Sequence, residues 1–253
     1  MNRIISKLQE NKKLLSIYFS AGFPNLDDTK KIIQDLEQNG ADMIEIGLPF
    51  SDPLADGPTI QSSSTQALEN GMNTMLLFEQ LADIRQTVKI PLLIMGYFNP
   101  IYQFGVENFL QKCTKIGIDG LIIPDLPPNV FELEYQLLFE KYNILNIFLI
   151  TPQTPTDRVL YIDLITKGFI YMVSSAAVTG SASGFGNIQE KYFERISTMN
   201  LKNPQIVGFG IHDKTTFEQA TKFAKGAIIG SAFIKNLSEK GVASIATFMK
   251  NLK

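Results

Sequence analysis

Short, nearly all-apolar runs alternate along this chain with longer stretches in which apolar positions recur every three or four residues. The short runs fall at residues 15–20, 43–47, 92–97, 120–123, 146–150, 169–174, 205–209 and 227–230. Each has the length of one strand and is apolar on both of its alternating faces, as a strand covered on both sides must be. The longer stretches, among them 27–39, 74–87, 106–115, 130–142 and 215–224, carry the spacing of helices with one buried face. Strand and helix together repeat at ~30 residues, the length of one unit of a parallel α/β sheet. Glycine, proline, asparagine and aspartate mark the connections. Eight such units without an intervening linker predict a single-domain (β/α)8 barrel over residues 1–253, with a short N-terminal helix and a small extra helix before the last one. An open doubly wound sheet shares this alternation, but its glycine-rich dinucleotide turn is missing. The turn after the first strand reads Ser20-Ala21-Gly22-Phe23-Pro24.

Composition removes several function classes. With 23 basic and 25 acidic residues and no block of like charge, nothing tracks a nucleic-acid backbone or an anionic bilayer. No apolar run reaches the ~18 residues of a membrane span, and residues 1–13 lack the apolar stretch of a secretory signal, so a cytoplasmic location is expected. The single cysteine, Cys113, sits in a helical pattern and reads as packing; it excludes an internal disulfide and a thiolate cluster. The single histidine, His212, cannot build a multi-histidine zinc or iron site. It reads as a solvated loop residue beside Asp213, a candidate helix N-cap. Neither a metal nor an organic cofactor is expected in this chain.

Barrels of this kind place their chemistry at the C-terminal ends of the strands. No strand here ends in lysine. Lys167 precedes its strand and Lys235 lies five positions beyond Gly230 in the following helix, which disfavours a Schiff-base aldolase. The second strand, Met43-Ile44-Glu45-Ile46-Gly47, sets a carboxylate between two isoleucines. If the isoleucines pack against the helices, Glu45 points into the barrel, where desolvation raises its pKa toward that of a proton donor at neutral pH. The alternative is a glutamate that reaches solvent or pairs with a base. The loop that follows, from Pro49 through Asp52, Pro53, Asp56 and Gly57 to Pro58, is stiffened by three prolines. Asp52 reads as a turn residue, while Asp56 is open between a turn and a catalytic role.

Late in the chain, Gly208-Phe209-Gly210 follows the seventh strand and Gly230-Ser231 the eighth. Glycines there let backbone N–H groups approach an anion, and a helix starting near Ser231 presents its positive end, so these two turns form a candidate phosphate site. The loop after the sixth strand, residues 176–186, is long, small-residued and uncharged. It has the character of a closing lid, or of a plain unstructured connection.

The segment from Ile44 to Gln61, containing Gly47-Leu48-Pro49-Phe50-Ser51-Asp52-Pro53 and Ala55-Asp56-Gly57-Pro58, resembles the tryptophan synthase alpha subunit family. Residues 18–24, Tyr97-Phe98-Asn99-Pro100, Pro124-Asp125-Leu126-Pro127, Val178-Thr179-Gly180 and the two glycine turns extend the resemblance over essentially the whole chain. The resemblance implies a lyase that splits indole-3-glycerol phosphate into indole and glyceraldehyde 3-phosphate without metal or cofactor. It puts Glu45 at the general acid-base position and Asp56 at the position that accepts the indole N–H. It also implies that Thr179 meets Asp56 when a lid closes, that Tyr171 stands beside Glu45, that Tyr18 walls the indole pocket, and that Gly180, Gly210, Gly230 and Ser231 line the phosphate. Ala177 stands where the family often has glycine. A pyridoxal-phosphate beta subunit is the implied partner, in an α2β2 complex, met by loops around residues 49–58 and 99–104. The rival readings are another phosphate-binding barrel enzyme and a non-catalytic barrel that binds the phosphorylated ligand and activates a partner.

Overall fold

In the computed structural model, which describes residues 1–174 and 187–252, eight parallel strands close on themselves in chain order. They are β1 Leu14–Ser20, β2 Met43–Gly47, β3 Leu92–Met95, β4 Gly120–Ile122, β5 Leu145–Ile150, β6 Ile170–Val173, β7 Gln205–Gly208 and β8 Gly226–Ile229. The expected barrel is therefore present, and every expected strand lies within two residues of an observed one. Closure is made by β8 returning to β1, with Leu15 opposite Ala227 and Ile17 opposite Ile229.

Period-two alternation divides the strand residues between two cores. Ile44 and Ile46 of β2, Leu92 and Ile94 of β3, Ile170 and Met172 of β6 and Ile229 of β8 pack outward with the helices. Met43, Leu93, Met95, Phe169, Tyr171, Ile206 and Ile228 fill the lumen. Cys113 is buried in the helical layer, on the helix Val106–Ile116.

One end of the lumen is sealed. The helix Arg3–Leu8 is capped by Asn2, whose Oδ1 accepts from the Ile4 N–H at 2.9 Å and whose Nδ2 donates to the Asp119 carbonyl at 2.8 Å. This sets the fully buried Ile4 among the lumen side chains at the N-terminal ends of the strands. Asp119, itself buried, takes Arg3 Nη1 at 2.9 Å and Arg85 Nη2 at 2.7 Å and accepts the Leu92 N–H at 3.0 Å. A buried carboxylate is tolerable when its oxygens are paired in this way. The sealed end leaves the C-terminal ends of the strands as the place for a site.

Three details depart from the sequence pattern. The stretch 74–87 is the helix Thr74–Gln80 followed by a 3-10 turn, Ile84–Gln86. Leu77, Leu81, Ile84 and Val88 are all buried, so the apolar spacing marked a buried face and not the helix type. β3 ends at Met95 because Tyr97 already caps the helix Phe98–Phe104, so residues 99–104, expected as loop, are helical. The helix at Ser231 runs to Lys240, and the small element before the last helix, Ile245–Lys250, is the 3-10 turn Val242–Ser244. The expected lid, with Thr179 and Gly180, lies outside the described residues. Among the described residues no helix is long and apolar enough to cross a membrane.

Candidate active site

Because Ile44 and Ile46 belong to the outer core, Glu45 between them faces the lumen, where it is completely buried. Its Oε1 accepts from Ser16 Oγ at 2.9 Å, and its Oε2 has no partner among the described residues. Burial pushes the Glu45 carboxyl up to about 8, with the Ser16 hydroxyl holding it lower than burial alone would. In the barrel register Tyr18 lies opposite Glu45 and Ser16 opposite Met43. Reaching Ser16 therefore draws the carboxyl one lumen layer toward the sealed end.

Tyr18 and Tyr171 stand above it. A Cβ at Gly47 would collide with the Tyr18 hydroxyl, and one at Gly208 with that of Tyr171, so these two glycines create the space for the phenols. Both phenols are held well above the ordinary tyrosine range by burial first, and then by the charges of Asp56 and Glu45. The four groups thus form one electrostatic cluster.

Asp56 arrives from the proline-rich loop, which is tied to the helix Pro58–Glu69 in several places. Ser64 Oγ accepts from the Phe50 N–H at 3.0 Å and donates to the Phe50 carbonyl at 3.1 Å, and Gln61 Nε2 donates to the Asp56 carbonyl at 2.9 Å. Gly57 precedes that helix and Pro58 opens it, a position where a missing N–H costs nothing. The Tyr97 hydroxyl donates to Asp56 Oδ2 at 3.1 Å while accepting the Ala55 N–H at 2.8 Å, and the Tyr97 ring stacks on Phe50 at 5.1 Å. Asp56 Oδ1 is buried without a partner among the described residues. Burial raises the Asp56 carboxyl to about 6, against the Tyr97 bond that lowers it. Asp52 is exposed and takes the neighbouring Ser51 hydroxyl, as a turn residue does.

The glycine turns meet across the barrel mouth. Phe209 has φ +69° and Gly210 φ +75°. A bulky residue in the left-handed region is costly, and here Ser174 Oγ donates to the Phe209 carbonyl at 2.7 Å while the ring packs edge-on to Tyr171. Gly230 follows β8 as the N-cap, and Ser231 begins a ten-residue helix whose first N–H groups face outward from its N-terminus. Asp213 caps the helix Lys214–Thr221 reciprocally with Thr216.

A cavity of about 300 Å³ joins these parts. Its apolar lining includes Tyr18, Ile60, Met95, Tyr171, Phe209 and Ile228, and Asp56 lines it too. Gly210, Ile211, His212, Gly230, Ser231, Ala232 and Lys235 complete the lining. Of the expected site residues, Tyr18, Asp56, Tyr171, Gly210, Gly230 and Ser231 share this cavity, while Glu45 lies beneath its two phenols and does not line it. His212 is exposed, as read, but stands on the cavity wall with Nδ1 3.2 Å from the Gly210 carbonyl. Sequence reasoning gave Ser16 no role, quoted Tyr97 and Phe209 only as parts of motifs, and used Lys235 only to disfavour a Schiff-base aldolase.

Between about pH 6 and 8 this arrangement holds one carboxyl protonated, Glu45, and the other ionised, Asp56. It can donate a proton in a dry site, stabilise positive charge on a flat apolar group, and seat an anion at the glycine turns.

Comparison with known proteins places this geometry. Residues 5–252 match the family model described as tryptophan synthase alpha chain. The tryptophan synthase alpha chain of Flavobacterium johnsoniae is 70% identical over 253 residues, covering 100% of both chains. That of Bacteroides thetaiotaomicron is 56% identical over 95% of this chain and 94% of its own. Among solved structures, the tryptophan synthase alpha chain of Legionella pneumophila superposes with a TM-score of 0.89 at 30% identity, covering 100% of this chain and 96% of that one. A chain of M. tuberculosis tryptophan synthase in its aminoacrylate-bound form gives 0.87 at 25% identity over 100% and 98%. A full-length match in sequence and a barrel with the same closure leave one assignment: the chain belongs to the tryptophan synthase alpha chain family.

Proposed function

We infer that the chain cleaves indole-3-glycerol phosphate to indole and glyceraldehyde 3-phosphate, with Glu45 as the acid-base group and Asp56 as the anion that stabilises the protonated ring. One cavity carries this reading, because it gathers apolar and aromatic side chains, a buried carboxylate, and two glycine turns with a helix N-terminus. The indole fills the apolar body between Tyr18, Met95, Tyr171 and Ile228, and the phosphoryl group lies at Gly210, Gly230 and Ser231.

Cleavage needs one proton delivered and one removed. The protonated Glu45 carboxyl gives its proton to indole C3, which places positive charge at the ring nitrogen. Asp56 accepts the ring N–H and stabilises that charge with a full negative one, in a setting dry enough for the interaction to be strong. The Glu45 carboxylate then takes the proton of the side-chain hydroxyl. The C–O bond becomes a carbonyl, the carbon-carbon bond breaks, and its electron pair returns to the ring. Glu45 ends protonated, as it began. To serve C3 the carboxyl leaves Ser16 and turns up between the two phenols, a change of side-chain torsion only. This reading uses no cofactor in this chain.

A beta subunit that takes up the indole and carries pyridoxal phosphate is the proposed partner, in an α2β2 assembly. Leu54, 88% exposed on the proline-rich loop, and Tyr102, 60% exposed on the helix Phe98–Phe104, are the large apolar side chains that flank the Asp56 side of the site and offer a docking surface.

The Ser16 contact favours a second reading, a barrel that binds the phosphorylated ligand with Glu45 kept out of reach and serves only to activate the partner. One assay separates the two. The purified chain is given indole-3-glycerol phosphate and indole release is followed, with and without a beta subunit. Release by the chain alone, stimulated by the partner, supports the lyase; release in neither case leaves the binding role.

The same site predicts a bell-shaped rate profile, failing below about pH 6 as Asp56 protonates and above about pH 8 as Glu45 ionises. Ser16→Ala removes the hydrogen bond that lowers the Glu45 pKa, so the upper limb should move to higher pH while the lower limb stays. An upper limb identical to wild type would separate Ser16 from the acid-base group.

A further inference from the structure

The cavity carries basic side chains that the cleavage steps do not use. Lys235 and His212 line it together with Gly210, Gly230 and Ser231 of the two glycine turns. The two basic groups are not equivalent. His212 has Nε2 3.6 Å from Asp213 Oδ2 and Nδ1 3.2 Å from the Gly210 carbonyl, so a positive charge on its ring is met locally by a carboxylate. Lys235 is exposed and has no carboxylate partner among the described residues.

Helix geometry directs that free charge. Ser231 is the first residue of the helix Ser231–Lys240, and Lys235 follows one turn later. Residues four apart lie on one face, and each Cα–Cβ bond tilts toward the helix N-terminus, so the long side chain of Lys235 leads back over Ser231. Both residues line the cavity. The helix end supplies only about half a unit of positive charge, and a phosphate monoester brings nearly two negative ones. A flexible ammonium beside the N-terminal amides supplies the charge that backbone alone does not.

We propose that Lys235 contacts the phosphoryl oxygens of the substrate and sets the preference of this enzyme for phosphorylated over unphosphorylated indole glycerol. The inference rests on the lyase reading above and adds a side-chain determinant to an anion site otherwise built from backbone and one hydroxyl. Lys235 takes no part in the bond cleavage.

The test compares indole-3-glycerol phosphate with indole-3-glycerol, using the wild-type chain, Lys235→Gln and Lys235→Arg. Lys235 is exposed on a helix, so neither variant disturbs the core. With Gln, KM for the phosphorylated substrate should rise about tenfold, the scale of one charge-assisted contact partly screened by water, with the loss in KM and not in kcat. The kcat/KM for indole-3-glycerol should not change. Arginine should restore most of the loss, and added salt should weaken wild type more than the glutamine variant. A KM within twofold of wild type, or equal losses on both substrates, would overturn the proposal. If wild type releases indole from neither compound, the lyase reading fails. Direct binding of inorganic phosphate to wild type and Lys235→Gln then still decides the lysine contact: equal affinities reject it, and weaker binding by the variant upholds it.

Discussion

Glu45→Gln should lower kcat about 10³-fold, within the range found when a positioned proton donor is removed, while substrate binding stays within a few-fold of wild type. The amide keeps the size of the carboxyl and can still meet Ser16 Oγ, but it has no proton to give to C3 and no basic oxygen for the hydroxyl proton. The same substitution carries a second signature, in stability. The Glu45 carboxyl rises from an ordinary 4.5 to about 8 in the folded chain. Between those values the folded state keeps a proton that the unfolded state releases, so the folded state binds more protons and stability falls as pH rises through the window. Glutamine carries no such penalty. The melting temperature of Glu45→Gln, relative to wild type, should therefore climb from pH 5 to pH 8, by several degrees for a cost on the order of a few kcal/mol. Kinetics and calorimetry read these effects independently. A kcat near wild type would remove Glu45 from the chemistry, and a melting difference flat with pH would mean that its carboxyl is not held protonated in the folded chain.

That the carboxyl which destabilises the fold is the one suited to the reaction explains why it is legible in the sequence alone. The strands announced themselves because a strand covered on both faces must be apolar throughout, so a charge at Glu45 broke the rule visibly. The glycines after β7 and β8 were legible for a related reason, since an anion approached by backbone needs residues without side chains. Ser16 obeyed the same logic and went unread. Period two puts Ser16, Tyr18 and Ser20 on the lumen side of β1 opposite Leu15, Ile17 and Phe19, a polar alternation inside a run scored as apolar. Tyr97 has no local signal for this role, because its bond to Asp56 spans two loops that meet only when β2 pairs with β3. Lys235 gives no strand-end signal, because a lysine inside a helix cannot end a strand, yet its spacing from Ser231 puts both on one helical face. What the pattern could not fix was where Glu45 directs its carboxyl, since rotamer choice follows from Ser16 and from the two phenols above, and not from the alternation that turns the residue inward.

Asp56→Asn should lower kcat about 10²-fold, less than the loss at Glu45, because the amide oxygen can still accept the ring N–H and loses only the charge. Asparagine also preserves the shape: with its carbonyl turned to the ring N–H, its Nδ2 takes the place of Oδ2 and donates to the Tyr97 hydroxyl that in wild type donates to Oδ2 at 3.1 Å, and the loop remains tied through Gln61 and Ser64. The loss therefore reports electrostatics and not collapse of the loop. Its pH dependence is the sharper reading. In wild type, activity should fall below about pH 6 because protonation neutralises Asp56, and the asparagine variant has no such group, so its acid limb should flatten while the limb set by Glu45 near pH 8 stays in place. The two carboxyls are then separable by experiment, each tied to one side of the profile. An acid limb near pH 6 that survives in Asp56→Asn would assign that titration to another group and leave the ring cation without its counter-ion.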